Sequence, residues 1–114
     1  MVTMMTDRQF CALFCDALQA DSRSAFSSDW ALSSIWSDDA EDPAELAVLC
    51  GLVWDLAHLT VGEIRANTGL TQAQFAERFC IPLRTVQNWE YRGGCPDYVR
   101  LMLARLCGLA DGIL

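Results

Sequence analysis

Gly69-Leu70-Thr71-Gln72-Ala73-Gln74-Phe75-Ala76-Glu77-Arg78-Phe79-Cys80-Ile81-Pro82-Leu83-Arg84-Thr85-Val86-Gln87-Asn88-Trp89-Glu90 is the stretch that decides how this chain of 114 residues is read. Thr71 followed three residues later by Gln74 is a capping-box pattern, in which each side chain satisfies a backbone N–H of the other at a helix start. It opens a helix running to about Phe79; Cys80-Ile81-Pro82 makes a short turn, and a further helix runs from about Leu83 to Tyr91. Ile64, Leu70, Phe75, Ala76, Phe79, Ile81, Val86 and Trp89 fall at the inward positions of this pair. Ala76 sets the geometry, since a small residue in the middle of the first helix lets the second cross close by.

Working outward, Thr60 with Glu63 opens a preceding helix that Gly69 closes. Downstream, Cys95-Pro96-Asp97 starts a last helix whose Tyr98, Val99, Met102, Leu103 and Leu106 are expected to form its apolar face, with Gly108 as its end. In the other direction, Thr6 with Gln9 opens a helix over 7–20, with Phe10, Leu13, Phe14, Ala17 and Leu18 at helical spacing. The Ser-rich stretch Asp21 to Asp29 reads as a loop, and Trp30, Leu32, Ile35 and Trp36 as a short, partly buried helix or turn with both Trp as core anchors. After an acidic linker from Ser37 to Asp42, Asp42-Pro43-Ala44-Glu45 opens a helix that carries Leu46, Leu49, Cys50, Val53, Trp54 and Ala57 on one stripe to about His58. There is neither strand alternation nor an internal repeat. The expected fold is all-α: a compact helical bundle with an acidic helical N-terminal region, 1–59, and a C-terminal helix-turn-helix domain, 60–114.

Composition narrows the function. Hydrophobic residues make up 53% of the chain and charged residues 20%, which excludes a wholly disordered chain. The length favours one domain, or a small domain with an appendage, over a two-domain enzyme. No run of about 18 uncharged apolar residues occurs, and Met1 to Thr6 lacks the features of a signal peptide, so a cytoplasmic location without a membrane partner is expected. The net charge of −7 hides an asymmetry: residues 1–59 carry two Arg against ten acids, and residues 60–114 six Arg against five. Every basic side chain is Arg, a planar fork suited to phosphate and guanine, although a GC-rich coding sequence gives the same bias.

The six cysteines, Cys11, Cys15, Cys50, Cys80, Cys95 and Cys107, form no CxxC pair and read as small hydrophobes packed in a reducing compartment. A zinc site would have to draw on Cys11, Cys15, Cys50 and His58, and core packing is the better reading. His58 is the sole imidazole, and no phosphate loop or dinucleotide fingerprint is present. Catalysis, a metal and a cofactor are therefore not expected.

The string Gly69 to Pro82, followed by Arg84-Thr85-Val86-Gln87-Asn88-Trp89-Glu90, resembles the Cro, phage-repressor and Xre type of DNA-binding domain, whose pattern is Leu-Thr-Gln-x-x-Leu-Ala, then Val-Ser, then Thr-x-x-x-Trp-Glu. The likeness covers about residues 60–107. It departs from the pattern in two places: Arg92 stands where the family has Gly, with Gly93 one later, so the recognition-helix cap is displaced by one residue, and Pro82 replaces the usual Ser or Thr cap. The resemblance implies a bracing helix, with Thr71 and Gln72 at its start, where Gln72 holds phosphate and buttresses the recognition helix. It also implies that the recognition helix presents Leu83, Arg84, Gln87 and Asn88 outward: Arg84 to guanine, Gln87 or Asn88 to adenine, Leu83 to a thymine methyl, with Thr85 and Arg92 on phosphates. Trp89 reads as core and Glu90 as an intradomain partner, while Arg65, Arg78, Arg100 and Arg105 read as solvated charges.

The implied function is a sequence-specific transcriptional regulator, a repressor or autorepressor of a phage or mobile element, binding palindromic double-stranded DNA as a homodimer. The acidic N-terminal region would serve dimerisation or bind a protein partner. The alternative is a protein inhibitor of anti-CRISPR or antitoxin type, acting through that region with the helix-turn-helix for autoregulation. Leu109, Ile113, Leu114 and the Trp-bearing segment are candidate dimer surfaces.

Overall fold

A computed structural model describes residues 5–36 and 42–113. Among these the protein is all-helical, with α1 Asp7–Ala17, α2 Arg23–Ala31, α3 Pro43–Ala57, α4 Val61–Thr68, α5 Gln72–Phe79, α6 Leu83–Arg92 and α7 Asp97–Leu106. No single helix among the described residues is long and apolar enough to cross a membrane. The acidic linker, apart from Asp42, and Met1 to Met4 of the N-terminal stretch lie outside the described residues. The chain divides into two units, one of residues 1–58 with 110–114 and one of residues 59–109.

In the first unit α3 packs against both α1 and α2. Thr6 and Gln9 form the expected reciprocal capping box at α1, and Asp42 caps α3 with Pro43 in its first turn. Leu13, Cys50 and Val53 are sealed from solvent. The indole N–H groups are satisfied: Trp30 donates to Asp16 at 2.8 Å, Trp36 to the Trp30 carbonyl at 2.7 Å and Trp54 to the Ala20 carbonyl at 3.0 Å. The Ala110 to Ile113 tail closes on the same unit, where Met5 N–H donates to the Ile113 carbonyl at 3.2 Å.

The Asp21 to Asp29 stretch, expected as a loop, is largely helical. Ser22 caps α2 through Ala25 N–H, and the Ser27 hydroxyl donates to the Arg23 carbonyl within the helix. Ser and Asp favour caps and turns over helix interiors, so local preference pointed the other way. Tertiary contacts prevail: Phe26 is buried, α2 packs along α3, and Arg23 makes a two-point ion pair with Asp55 of α3 at 2.8 and 3.0 Å. Gly51 opens the path for that Arg, because a Cβ there would come within 2.7 Å of the guanidinium.

In the second unit α5 packs on α6, and α4 on both α6 and α7. Thr60 with Glu63 and Thr71 with Gln74 form complete capping boxes, and Gly69 ends α4 in the left-handed conformation at φ 72°. Ile64, Phe75 and Val86 are fully buried with Ala76 close behind, and Phe79 meets Phe75 edge-on at 4.9 Å. Leu70, Phe79, Ile81 and Trp89 are half-buried.

Two further expectations need correction. On α7 the buried residues are Leu103 and Ala104, whereas Tyr98, Met102 and Leu106 face solvent. Its charged residues Asp97, Arg100 and Arg105 share one half of the helix, but the apolar arc opposite is wider than the strip that is covered, and only its Val99–Leu103 edge is withdrawn from solvent. The cysteines do not all pack inside: Cys50 is buried, Cys95 and Cys107 half-buried, and Cys11, Cys15 and Cys80 exposed. Cys11 and Cys15 sit on the solvent side of α1, turned away from Leu13 and Ala17.

Candidate nucleic-acid interface

The second unit positions its residues through one polar knot and one apolar seam. Arg65 of α4 donates to both carboxylate oxygens of Glu90 on α6, at 2.6 and 2.9 Å, and to the Leu70 carbonyl at 3.0 Å. Gln72, at the start of α5, donates to the same Glu90 carboxylate at 3.3 Å. Three helices therefore meet at one side chain. Glu90 is 13% exposed and Arg65 25%, so the pair is partly withdrawn from water. The hydrogen bonds from Arg65 hold the Glu90 carboxyl below the usual carboxylate range, against the opposing effect of burial and with help from Gln72. The same bond raises the Arg65 guanidinium further above its ordinary value.

The turn between α5 and α6 is Cys80-Ile81-Pro82. Cys80 takes the left-handed conformation at φ 54°, and Ile81 N–H reaches back to the Ala76 carbonyl at 2.9 Å, closing the end of α5. Pro82 begins α6 with no side-chain cap, and Gly93 ends it at φ 78°.

These constraints fix which side of α6 points outward. Val86 is buried, and Trp89 and Glu90 are half-buried on the inner side. Leu83, Arg84, Gln87, Asn88 and Arg92 are exposed, with Leu83 at 41%, while Thr85 is half-buried at the edge. At about 100° per residue, Arg84, Gln87 and Asn88 share one face, with Arg92 beside it. Thr71 is exposed but its hydroxyl accepts from Gln74 N–H at 3.1 Å, and Gln72 is half-buried and tied to Glu90.

One residue of this face escaped the sequence reading. Tyr91 is 86% exposed and stands three residues after Asn88 and seven after Arg84, at the centre of the outward stripe. The spacing of three and seven is a sequence signal that places Tyr91 with Arg84 and Asn88. Arg65, read as a solvated charge, instead anchors Glu90, and Arg100 bonds to Asp97 at 2.7 Å and to the Leu59 carbonyl. Of the residues weighed for zinc, Cys50 is buried while Cys11, Cys15 and His58 are exposed. Among the described residues no three His, Cys, Asp or Glu side chains gather in a metal-binding group. His58 stacks on Trp54 at 4.0 Å, with Nε2 2.9 Å from the Ala17 carbonyl oxygen.

No family model, no curated protein and no solved structure matches the chain.

Proposed function

We propose that α5 and α6 act as a helix-turn-helix of the Cro and Xre kind, and that the protein is a sequence-specific DNA-binding regulator, a repressor or autorepressor. The observation that carries this reading is the two-sided character of α6. One side is locked by Val86 and the Arg65–Glu90–Gln72 knot, and the other offers Arg84, Gln87, Asn88 and Tyr91 to solvent. A rigid helix presenting a guanidinium and two amides suits the major groove, where Arg pairs with guanine and Asn or Gln with adenine, each good pair discriminating by about 1–3 kcal/mol. Arg92, Thr85 and the N-terminal N–H groups of α5 suit phosphates, which set position rather than sequence. A dimer on a palindromic site would space two α6 helices about 34–36 Å apart.

The test is a gel shift with DNA upstream of the gene against random DNA of equal length, across a salt series. Specific, salt-sensitive binding is expected, and Arg84→Ala should weaken it by about tenfold to a hundredfold while relaxing choice at one base pair. Equal affinity for both DNAs at physiological salt refutes the proposal.

A further inference from the structure

The strongest unexplained feature outside α6 lies on α7. Tyr98, Met102 and Leu106 keep 65%, 57% and 71% of their surface in solvent, an unusual exposure for three large apolar side chains on one ten-residue helix. Their spacing of four makes them a single ridge of the kind that interlocks with a matching ridge in the commonest helix-pair geometry, crossing at about −50°. Exposed charges of opposite sign flank the ridge: Asp97 in the first turn, one carboxylate oxygen of which already accepts from Arg100 of the same helix at 2.7 Å while the side chain stays 56% exposed, and Arg105 in the last turn.

We propose that this ridge is a self-association surface, on which α7 of a second copy packs antiparallel about a two-fold axis passing beside Met102. A two-fold interface uses the same patch twice, so the patch must complement itself. With acid at one end, base at the other and apolar side chains between, α7 does so only antiparallel. Met102 then meets Met102 of the second copy, and Tyr98 meets Leu106. At about 100° per residue Asp97 and Arg105 fall on the same flank of the ridge, so Asp97 of each copy approaches Arg105 of the other, and Arg105 can also lie over the ring of the second copy's Tyr98. Antiparallel helix dipoles add to the same preference.

The area sets the class of interface. Side chains of this size and exposure present on the order of 100–150 Å² each, so the ridge covers about 300–450 Å² per copy, roughly half of the ~800 Å² per partner of a standard stable interface. An area below the standard class makes this a weak, transient interface that forms as concentration rises. This assigns a surface to the two-fold assembly expected for a palindromic site. Ile113, a candidate read from the sequence, is only 4% exposed; Leu109 is half-buried, and Leu114 lies outside the described residues.

Sedimentation velocity of the full-length protein tests the proposal, from micromolar to millimolar concentration, with reductant present to exclude disulfides through the exposed cysteines and without DNA. The mass should rise from monomer towards dimer. Met102→Glu, at a position 57% exposed and with folding checked by circular dichroism, should weaken association at least about tenfold. Asp97→Arg and Arg105→Asp should each weaken it alone, and an equimolar mixture of the two should recover it, because each then supplies the sign the other lacks. A monomer at every concentration, a dimer indifferent to Met102→Glu, or a mixture no better than its components overturns the proposal. Since no DNA is present, such a failure is separate from failure of the gel shift.

Discussion

Removing the Arg65–Glu90 pair tests whether the polar knot holds the second unit together. The pair has two charge-assisted hydrogen bonds at 2.6 and 2.9 Å, and its members are 25% and 13% exposed. At such separations the gross attraction near a protein surface is about 4 kcal/mol, and partial desolvation returns much of it. A net coupling of about 1–2 kcal/mol remains, above the ~0–1 kcal/mol of a surface pair. The two single truncations are unequal. Arg65→Ala leaves Glu90 nearly buried with only the Gln72 amide at 3.3 Å, and also strips the Leu70 carbonyl of its donor. Glu90→Ala leaves a more exposed guanidinium still bonded to Leu70. We expect losses of about 2–3 kcal/mol for Arg65→Ala and about 1–2 kcal/mol for Glu90→Ala. The assay is urea unfolding of the four members of a double-mutant cycle, followed through the Trp89 indole resonance so that the second unit is reported on its own.

The same pair fixes a pH dependence. The folded Glu90 carboxyl titrates below its ordinary value of 4.5, so just below that pH the unfolded chain binds more protons than the folded one. Its stabilisation is therefore present at neutral pH and is lost as pH falls through the folded value. Glu90→Gln should flatten that part of the acid limb. Additive single losses, with coupling under about 0.5 kcal/mol, together with an unchanged acid limb, would refute a structural role for the knot.

Other outcomes follow from single positions. Cys80 holds φ 54° without the freedom of glycine, so Cys80→Gly should stabilise by about 0.5–1 kcal/mol, read as a higher unfolding midpoint; destabilisation would mean that the thiol carries packing the geometry does not reveal. Gly51→Ala would place a Cβ 2.7 Å from the Arg23 guanidinium, the movable end of a half-exposed side chain. A helix-propensity gain of about 1 kcal/mol then opposes a surface pair worth no more than that, and thermal melts should show no net loss, with Asp55→Asn silent in that background. Burial pushes the Cys50 thiol up to about 11, so brief alkylation at mildly alkaline pH, read by mass spectrometry, should label Cys11 and Cys80 and spare Cys50 until urea is added.

Outside α2, the sequence by itself determined the helix starts and turns that depend on residues a few positions apart. The capping boxes at Thr6, Thr60 and Thr71, the Asp42-Pro43 start, the turn at Cys80 to Pro82 and the shifted cap at Gly93 stand in the structure where the sequence places them. A cap is a contact between a side chain and backbone three residues away, and it needs nothing from the rest of the chain. The outward placement of Arg84, Gln87 and Asn88 was legible for a related reason: Val86 is the one strongly apolar residue between Arg84 and Trp89, so α6 has a single side to bury. Tertiary structure alone decided the rest. It made α2 a helix against its Ser-rich composition, because burying Phe26 in the packing of α2 on α3 outweighs weak local preferences. It turned Arg65 from a solvated charge into the partner of a residue 25 positions away. And it chose which edge of the apolar arc of α7 to bury: the Val99–Leu103 edge is withdrawn and Tyr98, Met102 and Leu106 are left in solvent, because a neighbour covers only part of a wide arc, and no spacing along the chain records where that contact ends.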